Sequence, residues 1–364
     1  MSSPNRSRQR GYVLVVTMVS ALALLGAAGL AVDMGKLYIA KSELQNIADA
    51  ASVAAALELD GTAAGLTRAK AAAGATGLKW NFNSTTVTAP SVEFANSGAG
   101  PWSANPGTAV GYRWARVSVT QNVKMFFLPV ITAKLETPVN SRSAAAQVAR
   151  TTWREGLFPF SPFAHNNTPP YFGLTVGESH TLRWPTSPTL GKKGKASNVC
   201  PGDRIQAVID KAEAGGASER GYIEINSANV IRLTIEEDYQ SITRTVGDLV
   251  QMTGGAKQSQ LDSIEDRIAQ DSDTASQTFA QYLASSTGNG RRIVAAPIND
   301  GGTPPGSNHR IVGIGGFFLT VGNTYGNGGN QAWCAEFIGT YVQGSHRPGA
   351  GDGTNGSFVV RLTE

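Results

Sequence analysis

An unbroken apolar run, Tyr12 to Val32 (YVLVVTMVSALALLGAAGLAV), is the most pronounced feature of the hydropathy pattern, and it contains no charged side chain. As a helix rising about 1.5 Å per residue it would reach roughly 30 Å, the thickness of a bilayer's hydrocarbon layer. A single transmembrane helix is therefore predicted over 12–32. Arg6, Arg8 and Arg10 precede it and Asp33 follows. Basic flanks stay on the cytoplasmic side, which makes residues 1–11 a cytoplasmic tail and sends the remainder outward. A cleaved secretory signal is the rival reading, and the small residues of GAAGLAVD suit it. The run exceeds the roughly 7–15 apolar residues of a signal core, however, and the helical pattern continues through the cleavage zone, so a retained anchor is preferred.

Past the anchor the period becomes amphipathic. Leu30, Met34, Leu37, Leu44, Ala48, Ala51 and Ala55 recur at helical steps, with Ala40, Ile47 and Ala54 widening the stripe. Lys36, Ser42, Glu43, Gln45, Asn46 and Asp49 hold the other side. No proline lies between Pro4 and Pro90, so one helix is predicted from Tyr12 to about Ala73. Packing on its own domain's sheet is preferred to an intermolecular coiled coil, though different faces can serve both.

Strand-like alternation then takes over at Asn81–Thr88, Tyr112–Thr120 and Glu136–Val148, with a short apolar run, Met125–Ile131, interrupted by Pro129. This predicts a helix-plus-sheet domain over 33–150. Residues 154–170 (REGLFPFSPFAHNNTPP) are proline-rich, and a linker is expected over 151–170. Strand candidates follow at His180–Trp184, Tyr222–Asn226, Arg292–Ile298, Ile311–Val321, Ala332–Val342 and Phe358–Leu362. Helix candidates are Asp203–Ala214, Gln258–Gln270 and Ala275–Ser285. The expected fold class is α+β: a transmembrane helix continuing into an amphipathic helix on a small antiparallel sheet, then a β-rich domain with inserted helices over 171–364.

Charge changes this picture little. The chain has 31 Lys and Arg against 27 Asp and Glu. Residues 1–41 hold five basic side chains against Asp33, which accounts for the whole surplus; residues 42–364 are balanced. Nothing there favours a nucleic-acid partner. The densest basic cluster, Lys192, Lys193 and Lys195, reads as a solvated loop. Cys200 and Cys334 are the only cysteines. In an oxidising compartment an even pair most simply forms one disulfide, the alternative being two separate buried thiols.

The stretch RGYVLVVTMVSALALLGAAGLAVDMGKLYIAKSELQNIADAASVAAAL resembles the N-terminal domain of TadG-like proteins of tight-adherence (Flp) pilus assembly. Arg10-Gly11 before the apolar run, Val32-Asp33-Met34-Gly35 with Tyr38 after it, and Leu44-Gln45-Asn46 leading to Asp49-Ala50-Ala51 carry the likeness. FFLPVI and SAAAQVAR also suit it, and the second half (GDLVQMTGGAKQSQLDSIEDRI, RRIVAAPIND, IVGIGGFFLT, CAEFIGTYV) is similar to the C-terminal region of some members. The resemblance implies an inner-membrane protein with a periplasmic body, laid out like a minor pilin and contacting other Tad/Flp proteins. Gly11 is the candidate processing site, but the fifth residue after it is Val16 where prepilin signals usually carry Glu. Val32, Asp33, Gly35 and Tyr38 are the candidate membrane-exit interface.

Motifs for chemistry are absent. The chain has no HExxH, GxSxG or GK[ST], and none of His165, His180, His309 and His346 stands at metal-ligand spacing from another ligand. Some TadG-like relatives have a von Willebrand A-type metal site with an Asp-x-Ser-x-Ser run; the nearest pair here, Asp271 and Asp273, reads as a solvated helix end. Glu265-Asp266-Arg267 reads as surface pairing, and Asp352 in DGTNG as a plain turn. No enzyme, cofactor or metal is expected. The expected function is a membrane-anchored structural component of a Tad/Flp apparatus. The alternative is an adhesin-like ligand-binding module that presents Trp333 and Tyr325 in exposed loops.

Overall fold

The computed structural model describes residues 7–75, 79–80, 85–86, 89–190, 198–214, 219–223, 227–254, 261–302, 308–321, 325, 329–350 and 356–363. Helix α1 (Ser7–Leu57) runs unbroken through the apolar stretch and into the amphipathic one. It ends sixteen residues before the predicted limit near Ala73. Gly61 turns the chain at φ +78°, Asp60 Oδ1 accepts the Thr62 N–H at 3.0 Å, and Thr62 Oγ1 accepts the Gly65 N–H at 3.0 Å to start α2 (Ala63–Ala75). Alanine density favoured continuation, but this Asp-Gly-Thr turn satisfies the backbone locally and stops it. Gly65, Ala69 and Ala73 line the buried side of α2, small enough for it to pack back on α1.

The first sheet is built from β3 (Ser91–Ala95), β4 (Trp114–Lys124) and β5 (Glu136–Ala149), after a two-strand pairing of β1 (Lys79–Trp80) with β2 (Thr85–Thr86). A short helix, α3 (Leu128–Thr132), fills the β4–β5 connection. Alternation along β4 buries Ala115, Val117, Val119 and Val123 against α1, which offers Ala40, Leu44, Ala48, Ala51 and Ala55, all fully buried. Alanines at this seam let the helix axis approach the strands closely. The predicted stripe holds over 40–55, but Met34 is 67% exposed, because towards the apolar end of α1 the buried face passes through Gly29 and Asp33.

The chain then leaves this sheet for a second body: β6 (Thr152–Trp153), β7 (Ser179–Arg183), α4 (Gln206–Ala214), β8 (Glu219–Ile223), α5 (Ala228–Glu237), β9 (Arg244–Thr245), β10 (Leu249–Val250), β11 (Met252–Gly254), α6 (Leu261–Ala269), α7 (Phe279–Ser285), β12 (Ile293–Asn299), β13 (His309–Phe318) and β14 (Trp333–Gly339). Strand β13 is the hub, pairing antiparallel with β10, β12 and β14, and β14 with β7. Every residue of β12 is buried. The chain finally returns through β15 (Tyr341–Val342) and β16 (Ser357–Thr363) to the first sheet, whose order is β15-β16-β5-β4-β3. The last strand thus completes the domain that the sequence pattern closes near Arg150.

The proline-rich stretch expected to be a linker is core. Residues 157–164 are all buried and run between β8 and β12. Ile223 N–H donates to the Pro159 carbonyl at 3.0 Å and Asn299 N–H to the Pro162 carbonyl at 3.0 Å. Proline lacks a donor but keeps its acceptor, so it serves a strand-like segment wherever only the C=O is needed. Entry and exit of the second body lie side by side: Arg150 N–H donates to Ser357 O at 2.8 Å, and Ser357 Oγ to Arg150 O at 2.6 Å.

Candidate functional site

Where α1 leaves the apolar run, Asp33 faces inward and is 2% exposed. Its Oδ1 accepts the Phe126 N–H at 2.9 Å, and its Oδ2 accepts those of Phe127 at 2.8 Å and Leu128 at 2.6 Å. These donors open α3, whose N-cap residue Phe127 supplies no side-chain cap of its own. A carboxylate from one helix therefore caps another, a charge-assisted arrangement at the positive end of the short helix. One turn earlier, a Cβ on Gly29 would lie 2.5 Å from Phe127 Cγ, so only glycine lets the ring cross α1 there. One turn later, Lys36 Nζ donates to Lys124 O at 2.8 Å and sits 3.6 Å from the Phe126 ring centroid.

Of the four predicted exit residues only Asp33 joins this contact. Val32 and Tyr38 are 51% and 78% exposed, and a Cβ on Gly35 would meet nothing within 4 Å. Gly29, Phe126, Phe127 and Leu128 were missed; the signal for them was the apolar FFLPVI run close behind a strand. Gly11 lies within α1.

The far end of α1 is held as well. Gln147 Nε2 donates to Ala56 O at 2.9 Å and Leu59 O at 2.6 Å, and Ser345 Oγ donates to Leu57 O at 3.0 Å. These bonds satisfy carbonyls that a helix C-terminus otherwise leaves open. In between, Lys41 donates to Asn140 O and Gln45 to Arg142 O, tying the helix to β5.

In the second body the structure gathers groups that the linear spacing scattered. Cys200 and Cys334 form a disulfide, with Cα atoms 5.8 Å apart, joining β14 to the turn before Asp203. His165 Nε2 and His180 Nδ1 both meet Asp203 Oδ1, at 2.9 and 2.8 Å, and this His-His-Asp group is compact enough to suggest a metal. The hydrogen bonding argues otherwise. His180 Nε2 accepts the Thr175 N–H at 3.2 Å, so its proton sits on Nδ1 and points at Asp203, which also accepts the Thr181 N–H. Burial opposes ionisation of Asp203, but the His165 and His180 hydrogen bonds outweigh it and hold its pKa down to about 2. The group is a buried clamp beside the disulfide.

Other acid and base candidates are also structural. Asp271 and Asp273, expected at a solvated helix end, are 4% and 5% exposed. Asp271 accepts Tyr282 O–H at 2.9 Å and Arg292 N–H at 3.0 Å, while Asp273 accepts from Ala275, Ser276 and Ser285. Hydrogen bonds from Ser285 and Ser276 keep the Asp273 carboxyl well below the usual range. Arg292, fully buried, donates to the carbonyls of Leu319, Asp273 and Ser276. Arg267 is 4% exposed and pairs with Asp238 at 2.7 Å, so it is no surface helix residue. His309 faces Glu219 at 3.3 Å and His346 is exposed. Trp333 and Tyr325 are 0% and 2% exposed; both belong to the core, where they pack edge to face, and neither lies in an exposed loop. Lys192, Lys193, Lys195 and Asp352 lie outside the described residues.

Residues 11–58 match the family described as putative Flp pilus-assembly TadE/G-like. That match covers α1 almost from its start to one residue beyond its end, and it contains Gly29, Asp33 and Lys36. No curated protein and no solved structure matches the chain.

Proposed function

We propose that this chain is a membrane-anchored, non-enzymatic structural component of a Tad/Flp-type pilus assembly or secretion apparatus. Residues 12–32 would span the bacterial inner membrane, with 1–11 in the cytoplasm and the body in the periplasm. The observation that carries the reading is that the TadE/G-like segment is one continuous helix, apolar and exposed over its first part, then fastened to a folded body by Asp33 at one end and Gln147 at the other. Such a helix transmits the position of the bilayer to the body without a hinge. Val32, Gly35 and Tyr38, on the open face of the exit turns, are placed by this proposal in the headgroup layer. The buried side chains of Asp203, Asp271, Asp273, Arg267 and Arg292, already hydrogen-bonded within the body, suit a scaffold. The adhesin-like alternative loses its two named aromatics to the core.

The test is a fractionation. Fibres are sheared from cells and the envelope and fibre fractions are probed for the chain and its intact mass. Full-length protein confined to the inner membrane is the expected result. A chain shortened at Gly11 and recovered in fibres would make it a processed minor pilin instead. Chain recovered free of both fractions would end the anchoring proposal.

A further inference from the structure

We infer that the β4–β5 connection is a second membrane contact, so that the sheet domain itself is seated in the lipid surface beside α1. This rests on the reading of residues 12–32 as a bilayer span. Phe126, Phe127, Val130 and Leu135 are 65%, 47%, 86% and 71% exposed, four large apolar side chains within ten residues. A folded domain gains nothing from presenting such a cluster to water. Elsewhere in the body, the exposed large apolar residues are fewer together and less exposed, with Tyr171 and Val176 at 39% and 50% and Tyr239, Ile242 and Leu249 at 48%, 36% and 53%, while Val110, Ile205 and Leu362 stand singly.

Position identifies what covers the cluster. Phe127 lies on Gly29, four residues inside the apolar run from Asp33, about 6 Å along the helix towards its middle. The ring is therefore level with residues of α1 that have only lipid to face: Leu24 and Leu25 are 72% and 68% exposed just below, and Val32 51% just above. The patch is continuous with the anchor's own apolar surface. On the side of the body, Lys36 is bonded to Lys124 O and lies over the Phe126 ring, and exposed Lys124 stands opposite exposed Glu136 where the connection leaves the sheet. Apolar side chains towards the span, with Lys36 and Lys124 towards the body, follow the layering of a membrane interface, where long amines reach back to the phosphates. The three bonds to Asp33 fix the connection at that level, and no backbone donor of its first turn is carried into lipid unpaired. The partner is thus a phospholipid surface.

The native cysteines are joined to each other, so one introduced cysteine is the only free thiol. A nitroxide is attached to V130C in the full chain, reconstituted in phosphatidylethanolamine–phosphatidylglycerol bilayers, and its collisions with oxygen and with a water-soluble nickel chelate are compared. L22C, within the span, and V110C, before the far end of β4, are the references; all three positions are exposed, so the label displaces no packed side chain. The expected result is a several-fold higher oxygen-to-nickel ratio at V130C than at V110C, approaching L22C. A water-like V130C with a lipid-like L22C overturns this contact and leaves the anchor standing. A V130C label shielded from both reagents also overturns it, since protein would then cover the patch. A water-like L22C removes the anchor and this inference together.

Discussion

The Asp33 carboxylate accepts the Leu128 N–H at 2.6 Å across ninety-five residues of sequence, and this bond joins α1 to the sheet domain. Two more donors, from Phe126 and Phe127, share the same carboxylate. Asp33→Ala would leave three buried N–H groups with no acceptor in place. Amide exchange at 126–128 should then accelerate by at least about tenfold, while exchange in β13 of the second body stays unchanged. Asp33→Asn keeps a carbonyl oxygen and should show a smaller effect. Unchanged exchange in the alanine variant would mean that the loop is held by its apolar contacts alone.

Gly29 and Phe127 make a second coupled pair. A methyl group on residue 29 meets the Phe127 ring at 2.5 Å, inside any tolerable contact, so the ring must leave. Gly29→Ala is expected to destabilise the sheet domain by about 1–3 kcal/mol. Phe127→Ala removes the obstacle, and the double variant should recover part of the loss. A double-mutant cycle in detergent checks this; additive losses would show that the ring does not depend on the glycine.

Asp203 gives the second body a specific acid sensitivity. Its pKa is about 2 in the folded chain against 3.8 for the free side chain. A carboxyl depressed by folding contributes stability that is fully present above the unfolded value. That contribution declines as pH falls from about 4 towards 2, and amounts to about 2 kcal/mol. Asp203→Asn should flatten this part of the stability–pH curve and lower stability at neutral pH, because the donors of His165, His180 and Thr181 lose a charged acceptor. Denaturation midpoints across that window decide it.

How much of this was legible from sequence differs by element. The apolar span and the stripe from Ala40 to Ala55 were readable because alanine and leucine at helical spacing mean the same thing in any context. Asp33 reads from sequence only as an exit residue, since nothing local says that a carboxylate faces inward; its partners lie on a loop beyond the next four strands. Residues 157–164 read as a linker because proline signals a break, whereas Pro159 and Pro162 here only accept. The His165–His180–Asp203 group leaves no signal in the sequence because a histidine's partner is set by tertiary contact. Trp333 and Tyr325 sat near glycine-rich loops, and composition gave no hint that the sheet closes over both.

The return of β16 makes the final residues a condition for the first domain. Phe358 to Thr363 pair with Ala149 to Ala144, and Phe358 is fully buried. Removing residues 356–364 would expose the edge of β5 along that stretch and free Arg150 from Ser357. An unpaired edge of this length invites association with another chain. The truncated protein should therefore lose exchange protection in β5 and in the part of α1 that packs on it, although α1 lies at the opposite end of the sequence. The Cys200–Cys334 bond lies in the second body and should remain formed, so an unchanged non-reducing mass would separate this outcome from global misfolding. Retained protection in β5 would show that α1 and β4 hold the sheet without its last strand. Its loss would mean that the helix-plus-sheet domain cannot be completed until the second body has been made, because β16 follows that body in the chain.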